Sequence, residues 1–326
     1  MTTHFHRHGL QGAGPPLVEW QTGADGRFRV GCDGVMAILT PADRKVEFIC
    51  FADKTLCYVR SAMGYPALYP LESVRIERPV RAVLMDLDGT SVRSEDFWIW
   101  MIERTTAHLL RDSHFRLEEA DLPHVSGHSV SEHLQHCIAK YVPQATVEEA
   151  RTVYFEIVRT ELDAIQQGQG RPTAFQPAPG LKALLQTLKQ HGVSIGLVTS
   201  GLYEKAWPEI LCAFRVMGLG DPRDFYDAII TAGFPLHAGQ PGTLGELEPK
   251  PHPWLYAETA RVGLGIDYAD RHRVVGIEDS AAGVVSIRLA GFAVIGLSGG
   301  TIEAGGTAGL CSHLCRSLDE IAALIL

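Results

Sequence analysis

Hydrophobic and polar positions follow one pattern in the first part of the chain and another in the rest. Up to about residue 79 the apolar positions form short runs, and several of these alternate with polar residues. Turn-forming sequences such as Asp33-Gly34 separate the runs. Short runs at this spacing predict a small, β-rich antiparallel segment over residues 15–79. Its predicted strands cover residues 17–20, 28–30, 35–39, 46–52 and 56–59.

Beyond residue 80 the apolar positions form continuous runs without alternation. Four such runs cover residues 83–85, 194–198, 274–277 and 293–297, and each ends in a polar cluster. Helix-like segments, among them residues 181–191 and 280–290, lie between them. This succession is typical of a parallel sheet buried on both faces. The sequence therefore predicts an α/β fold with a Rossmann-like parallel-sheet core, in which ligands bind beyond the carboxyl ends of the strands.

The segment between the first two of these strands has a helical pattern. Residues 95–111, 129–141 and 147–167 predict helices, which prolines and glycines separate. An all-helical block at this point would form a lid over the carboxyl edge of the sheet. We therefore predict a helical cap over residues 93–178, inserted into a core formed by residues 80–92 and 179–326, and a disordered tail over residues 1–14.

Four carboxylates follow the predicted strands. Asp86 and Asp88 stand at the end of the first strand, and Glu278 and Asp279 at the end of the third. Carboxylates at one sheet edge repel one another unless a cation lies among them. A set of hard oxygen ligands without His or Cys favours Mg²⁺. The sequence therefore predicts a magnesium site.

Lys250 and Thr199 add a positive charge and a hydroxyl donor to the predicted site. Carboxylates, a hard cation, a lysine and a hydroxyl suit a phosphoryl group, because its transfer depends mainly on positioning and charge stabilisation. Each residue also has a simpler interpretation. Asp-x-Asp-Gly is typical of a turn, Thr-Ser of a helix N-cap, and lysine beside proline of a solvated loop.

Four short motifs occur in order from about residue 81 to the end of the chain. They are Asp86-Leu87-Asp88-Gly89-Thr90, Val198-Thr199-Ser200, Lys250-Pro251-His252-Pro253 and Glu278-Asp279-Ser280-Ala281-Ala282-Gly283. In this order they resemble the haloacid dehalogenase-like superfamily, specifically the helical-cap branch that includes the beta-phosphoglucomutase-like phosphatases. The resemblance implies a magnesium-dependent phosphoric monoester hydrolase that acts on a small phosphorylated metabolite.

The resemblance also implies a role for each matching residue. Asp86 would be the nucleophile that accepts the phosphoryl group, and Asp88 the general acid and base. Lys250 would neutralise charge between Asp86 and the phosphate. The phosphoryl oxygens would be held by Thr199, Ser200 and Gly201. The implied metal ligands are Asp86, the backbone carbonyl of Asp88, Asp279 and, directly or through water, Glu278.

Three alternative functions stay open at this point. Asp88 is absent from the dehalogenases of the superfamily and is threonine in its transport ATPases, so it favours a phosphatase or a sugar phosphomutase. A non-catalytic protein that binds a phosphometabolite would retain the fold without the chemistry. A phosphonatase would need a cap lysine that forms an imine, and Lys140 is the only lysine in the predicted cap.

Substrate choice is expected to depend on the cap, because the core residues contact only the phosphoryl end. Residues 126–129 resemble the cap specificity loop of this branch, and within them His128 is the expected contact to the leaving group. Three further histidines, His124, His133 and His136, could form a metal site, although exposed polar helix faces explain them more simply.

Composition limits the classes of partner. The formal net charge is −9 and no basic run is present, which argues against a nucleic-acid or membrane-surface partner. Seven cysteines at irregular spacing and a polar start without an apolar segment predict reduced thiols in a cytoplasmic protein. A monomer or a homodimer is expected.

Overall fold

A computed structural model of the chain describes residues 10, 17–41, 43–60, 66–124, 130–231 and 248–326, except the side chains of residues 123, 124 and 132. Leu10 is buried. The rest of the predicted tail over residues 1–14 lies outside the described residues. The fold is the predicted α/β fold, a Rossmann-like parallel sheet with flanking helices that follows a separate antiparallel sheet.

Strands dominate the beginning of the chain, and helices alternate with strands in the rest. In chain order the strands are β1 (Val18–Trp20), β2 (Ala37–Thr40), β3 (Val46–Cys50), β4 (Thr55–Val59), β5 (Ala67–Pro70), β6 (Ala82–Asp86), β7 (Val92–Arg93), β8 (Gln176–Pro177), β9 (Ser194–Thr199), β10 (Ala228–Thr231), β11 (Val274–Glu278), β12 (Ala293–Leu297) and β13 (His313–Cys315). The α-helices are α1 (Glu95–Leu110), α2 (Val130–Tyr141), α3 (Val147–Gln166), α4 (Leu181–Gln190), α5 (Tyr203–Met217), α6 (Pro222–Phe225), α7 (Trp254–Glu258), α8 (Ala281–Leu289) and α9 (Ile321–Ile325).

The antiparallel sheet contains β1 to β5 in chain order. The prediction of a strand over residues 28–30 is wrong, because Arg29 forms only an isolated bridge with Thr22. The chain turns at Gly26 and Gly31, which both have positive φ, so the residues between them are too few to form a strand. The sequence pattern missed β5, an edge strand with alternating half-buried residues that ends in proline.

The two faces of the antiparallel sheet bury different clusters, as the period of two in a strand requires. One face carries Ile38, Ile49 and Tyr58, which pack in a small cluster of their own. The other face carries Leu39, Phe48 and Cys57, which belong to the same buried cluster as Tyr256 of α7 and residues of α8. The antiparallel sheet is therefore packed on the helices that follow β10 and β11 in the chain.

The second sheet has the strand order β10-β9-β6-β11-β12-β13, and all neighbouring strands are parallel. Every residue of β6, β11 and β12 is buried, which explains their continuous apolar sequences. The chain passes from β6 to β9 on one side and later returns to β11 on the other. The carboxyl end of β6 is therefore the topological switch point where ligands bind in such sheets. The short edge strands β10 and β13 were not predicted.

The described chain divides into two compact units. The first, here called the sheet unit, consists of Met1–Ser91, Ala178–Ala206 and Asp221–Leu326 and contains both large sheets. The second, here called the helical unit, consists of Val92–Pro177 and Trp207–Gly220.

The helical unit is built mainly from α1, α2 and α3. Phe97, Met101 and Ile102 of α1 are buried, and their spacing follows the helical repeat. Helix α3 begins with a capping box in which Thr146 and Glu149 exchange side-chain and backbone hydrogen bonds. No helix among the described residues is long and apolar enough to cross a membrane.

Candidate active site

The loop after β6 turns sharply at the switch point of the parallel sheet. Asp86 is the last residue of β6, and its backbone carbonyl accepts a hydrogen bond of 2.5 Å from the Ser91 hydroxyl. Gly89 has φ +85°, and a methyl group there would overlap the carboxylate of Asp279. Glycine therefore permits both the turn and the close approach of β11 to this loop.

The end of β11 places a carboxylate beneath the N-terminus of α8. Glu278 is fully buried, and its Oε2 accepts hydrogen bonds from the backbone N–H groups of Asp279 at 3.0 Å and Ser280 at 2.8 Å. The Ser280 side chain caps α8 by accepting from the N–H of Gly283. A methyl group at Gly283 would overlap the Glu278 carboxylate, so glycine lets the helix end approach it.

Lys250 connects the ends of β6 and β11. Its Nζ donates to Oδ1 of Asp86 and, at 2.6 Å, to Oε1 of Glu278. The Tyr256 hydroxyl donates to the same Glu278 oxygen at 3.0 Å, and Nζ lies 5.2 Å from the Tyr256 ring centroid. The Lys250 side chain is only 7% exposed, so this ion pair is largely shielded from water.

Three carboxylates gather next to this lysine. Ligand atoms of Asp86, Glu278 and Asp279 all lie within 4.8 Å of one another. Within the described ranges this is the only group of three such side chains that could hold a metal ion. The Thr90 hydroxyl donates to Asp279 at 3.2 Å and fixes its orientation.

The electrostatics show an excess of negative charge. Burial raises the pKa of Asp86 well above its ordinary value, and the charge of Glu278 raises it further. Burial and Glu278 also raise the pKa of Asp279 to about 7. Burial lowers the pKa of Lys250, but Asp86 and Glu278 more than offset this and hold it above its ordinary value. Lys250 is therefore a cation, and one cation does not balance three carboxylates.

The residues predicted to bind the phosphoryl group lie at the end of β9. Thr199 is 1% exposed, and its hydroxyl accepts a hydrogen bond of 2.9 Å from the N–H of Gly201. The Ser200 hydroxyl accepts from the N–H of Lys250 at 3.2 Å and so joins the β9 loop to the lysine segment. Thr199 and Ser200 thus form loop contacts. They are not the N-cap of a helix, the other interpretation of the Thr-Ser sequence, because α5 begins only at Tyr203.

Asp88 differs from the other acidic residues in its exposure. Its side chain is 37% exposed, and its Oδ1 lies 3.8 Å from Nζ of Lys205. It is absent from the three-carboxylate group. An acid that must exchange protons with a leaving group and with water needs such access.

The donor set suits a hard divalent cation. When all three carboxylates are ionised, the single ammonium group leaves an excess of two negative charges in a largely buried space, and every donor atom of the group is oxygen. Glu278 already accepts hydrogen bonds on both oxygens. Asp86 and Asp279 therefore offer the freer oxygen atoms for a metal ion.

The cap predictions have different outcomes. Residues 126–129, with His128, and the side chain of His124 lie outside the described residues. His136 Nε2 lies 2.8 Å from Oδ1 of Asp121. The same oxygen accepts from Lys140, and the hydrogen bonds of Lys140 to Asp121 and Glu118 raise the pKa of this lysine above its ordinary value. A lysine nucleophile requires the opposite environment, so Lys140 is unsuited to the imine of a phosphonatase.

Sequence reasoning missed three residues near the site. Thr90, Tyr256 and Lys205 received no role, although each contacts one of the predicted residues. Thr90 could have been found, because it directly follows the Asp-x-Asp-Gly turn. The positions of Tyr256 and Lys205 depend on where α7 and α5 begin, and the sequence pattern does not define these two helix starts.

Comparisons with known proteins concern the sequence profile and the fold of the chain. The sequence profile of the haloacid dehalogenase-like hydrolases matches residues 80–291, more than half of the chain. No curated protein matches the chain. Three solved structures show a similar fold. A subfamily IA hydrolase from Geobacter sulfurreducens has a TM-score of 0.54 and 18% identity, and the match covers 78% of this chain and 100% of that one. CbbY from Rhodobacter sphaeroides in complex with phosphate has a TM-score of 0.51 and 21% identity, with 74% of this chain and 96% of that one covered. A HAD family hydrolase from Deinococcus radiodurans with bound phosphate and sodium has a TM-score of 0.50 and 24% identity, with 76% and 96% covered.

Proposed function

The chain belongs to the haloacid dehalogenase-like hydrolases, and we propose that it is a magnesium-dependent phosphatase that hydrolyses a small phosphorylated metabolite through a phosphoryl-aspartate on Asp86. One observation carries this proposal. Lys250 donates to Asp86 at the switch point of the sheet, with Glu278 and Asp279 beside it. This combination supports a site for a divalent cation, and such a cation together with Lys250 would keep the Asp86 nucleophile ionised beside Glu278.

The proposed reaction has two displacements. An Asp86 carboxylate oxygen attacks phosphorus, and the bond from phosphorus to the ester oxygen breaks while Asp88 gives that oxygen its proton. Asp88 then takes a proton from a water molecule, whose oxygen attacks phosphorus and releases inorganic phosphate from Asp86. Thr199, Ser200 and Gly201 would hold the phosphoryl oxygens, and Lys250 would offset the negative charge that gathers next to Asp86.

Mg²⁺ would be held by Asp86, Asp279 and the backbone carbonyl of Asp88, with Glu278 contributing through water because its oxygens already accept hydrogen bonds. When bound, the ion would supply positive charge that brings the phosphoryl oxygens and the carboxylates together. The seven free cysteines support a cytoplasmic location for the enzyme.

The first test is magnesium-dependent release of inorganic phosphate from an aryl phosphate, followed by a screen of phosphorylated metabolites. We expect turnover that requires Mg²⁺ and yields free phosphate. A hexose 1-phosphate with its bisphosphate serves as the second substrate, because an isomerised sugar phosphate would identify a mutase instead. If no phosphate ester is turned over, the proposed function is wrong.

Replacing Lys250 with methionine is expected to lower kcat by about 10²- to 10³-fold, because it removes the charge that stabilises the phosphoryl group. The change also leaves Asp86 and Glu278 without their shared cation. Steady-state kinetics on the aryl phosphate measure the effect. The matched control is Lys182→Met on the exposed side of α4, which should keep the wild-type kcat. Equal activity of the two variants would exclude a role for Lys250.

A further inference from the structure

The antiparallel sheet contacts the chain segment that carries Lys250. Tyr69 lies in the edge strand β5, and its hydroxyl lies 2.9 Å from Nδ1 of His252, two residues after Lys250. The two rings meet edge to face, with centroids 5.8 Å apart at 81°. The family profile begins at residue 80, so Tyr69 belongs to a part of the chain outside it.

The hydrogen bond joins the Tyr69 hydroxyl to a neutral imidazole. Burial lowers the pKa of His252, so its ring is neutral near neutral pH. A neutral imidazole has one donor and one acceptor nitrogen, and a tyrosine hydroxyl can take either role, so the tautomer of His252 sets the direction of this hydrogen bond. In either direction the bond fixes the His252 ring to Tyr69.

His252 is fixed from the other side as well. Its side chain is 1% exposed, and its backbone carbonyl accepts a hydrogen bond of 2.5 Å from the Ser286 hydroxyl of α8. Pro251 and Pro253 on either side are buried. The residue thus joins β5, through its ring, to α8, through its backbone.

Lys250 depends on this short segment for its position. Its N–H donates to Ser200, while its Nζ reaches Asp86 and Glu278. The side chain has four rotatable bonds, so the direction in which the backbone leaves residue 250 decides where Nζ can lie. A contact that fixes His252 therefore limits the positions of Nζ.

We propose that Tyr69 is a positioning residue: its hydroxyl holds His252, and through His252 it keeps Lys250 between Asp86 and Glu278. The antiparallel sheet is then a support for the site as well as a cover for the core. The inference rests on the proposed function in one respect, namely that Lys250 contributes to turnover.

The test compares Tyr69→Phe with Tyr58→Phe in the full chain. Both changes remove one hydroxyl from the same sheet, but Tyr58 belongs to the cluster on the opposite face. We expect Tyr69→Phe to lower kcat about tenfold, the equivalent of one hydrogen bond, with KM changed less than about twofold. We also expect faster amide hydrogen exchange in a peptide that spans residues 250–256. Tyr58→Phe should change neither quantity.

A second comparison uses His252→Leu and the double variant with Tyr69→Phe. If Tyr69 acts through His252, the double variant should have the same kcat as His252→Leu alone. If His252→Leu does not fold, the two tyrosine variants still decide the question.

Three outcomes would overturn the inference: unchanged kcat in Tyr69→Phe, a lower kcat without faster exchange, or the same loss in Tyr58→Phe. A lower melting temperature of Tyr69→Phe with wild-type kcat and exchange would also count against it, because it would indicate stability alone. If the wild-type protein turns over no phosphate ester, the proposed function fails, and the exchange measurement alone decides whether Tyr69 orders the Lys250 segment.

Discussion

Replacing Asp86 with asparagine is expected to lower phosphate release by about four orders of magnitude or more, because the amide cannot attack phosphorus. The amide is nearly the same size as the carboxylate, and Lys250 keeps its hydrogen bond to Glu278. The change also removes one charge from a group of carboxylates that repel one another. We therefore expect a folded variant whose loss of activity is chemical in origin.

The measurement is single-turnover and steady-state phosphate release, with melting temperature as the check on folding. The matched control is Asp53→Asn, the same change at an exposed position outside the site, and it should retain wild-type activity. Turnover by Asp86→Asn within a factor of ten of wild type would exclude an aspartyl-phosphate on this residue. If Asp86→Asn is inactive because it does not fold, the wild-type protein is tested instead. Acid quenching during turnover should then trap a phosphorylated protein.

Much of the parallel sheet could be predicted, because its central strands are buried on both faces. A strand such as β6 or β12 has no solvent face, so its sequence is apolar throughout and its bounds are clear. The edge strands β10 and β13 are short, and their sequences lack this signal. Strand β5 was missed for the same reason, because its residues alternate between half-buried and exposed.

The site was predictable to the extent that its residues follow the buried strands. Asp86 and Glu278 are each the last residue of a strand, so the order of strands places them side by side. The contacts of Lys250 could not be predicted in this way, because the lysine lies in a loop about 160 residues from Asp86 in the chain. The position of Lys250 depends on Tyr256, which belongs to the large buried cluster, and on His252, whose ring contacts Tyr69.

The antiparallel sheet shows why a segment without a chemical motif can still belong to a site. Its apolar face shares a cluster with Leu255 and Tyr256 of α7 and with residues of α8. These two helices follow Lys250 and Glu278 in the chain. Removal of the sheet would expose this cluster to water at a cost of about 25 cal/mol per Å² of apolar surface. The sheet is therefore part of the structure that holds the segments with Lys250 and Glu278.

Removal of divalent cations is expected to abolish turnover and to make the stability of the protein fall as the pH rises. In metal-free protein the carboxyl group of Asp279 has a pKa of about 7, raised by burial and by Glu278. Between about pH 4 and pH 7 it holds a proton when folded and releases it when unfolded, so the unfolding free energy decreases across this range. Asp86 acts in the same direction, and Lys250, with its raised pKa, changes stability only in strongly alkaline solution.

Urea unfolding in EDTA at about pH 5 and about pH 8 measures this effect, and the expected loss from Asp279 alone is about 3 kcal/mol. Mg²⁺ replaces the proton as the partner of these carboxylates, so it should stabilise the protein more at the higher pH. The difference in unfolding free energy between the two pH values should therefore become smaller. Asp279→Asn removes one raised pKa and one ligand, and it should therefore weaken both the pH dependence and the response to Mg²⁺. A protein in EDTA that is as stable at the higher pH as at the lower, and that is unaffected by Mg²⁺, would contradict a cation site at Asp86 and Asp279.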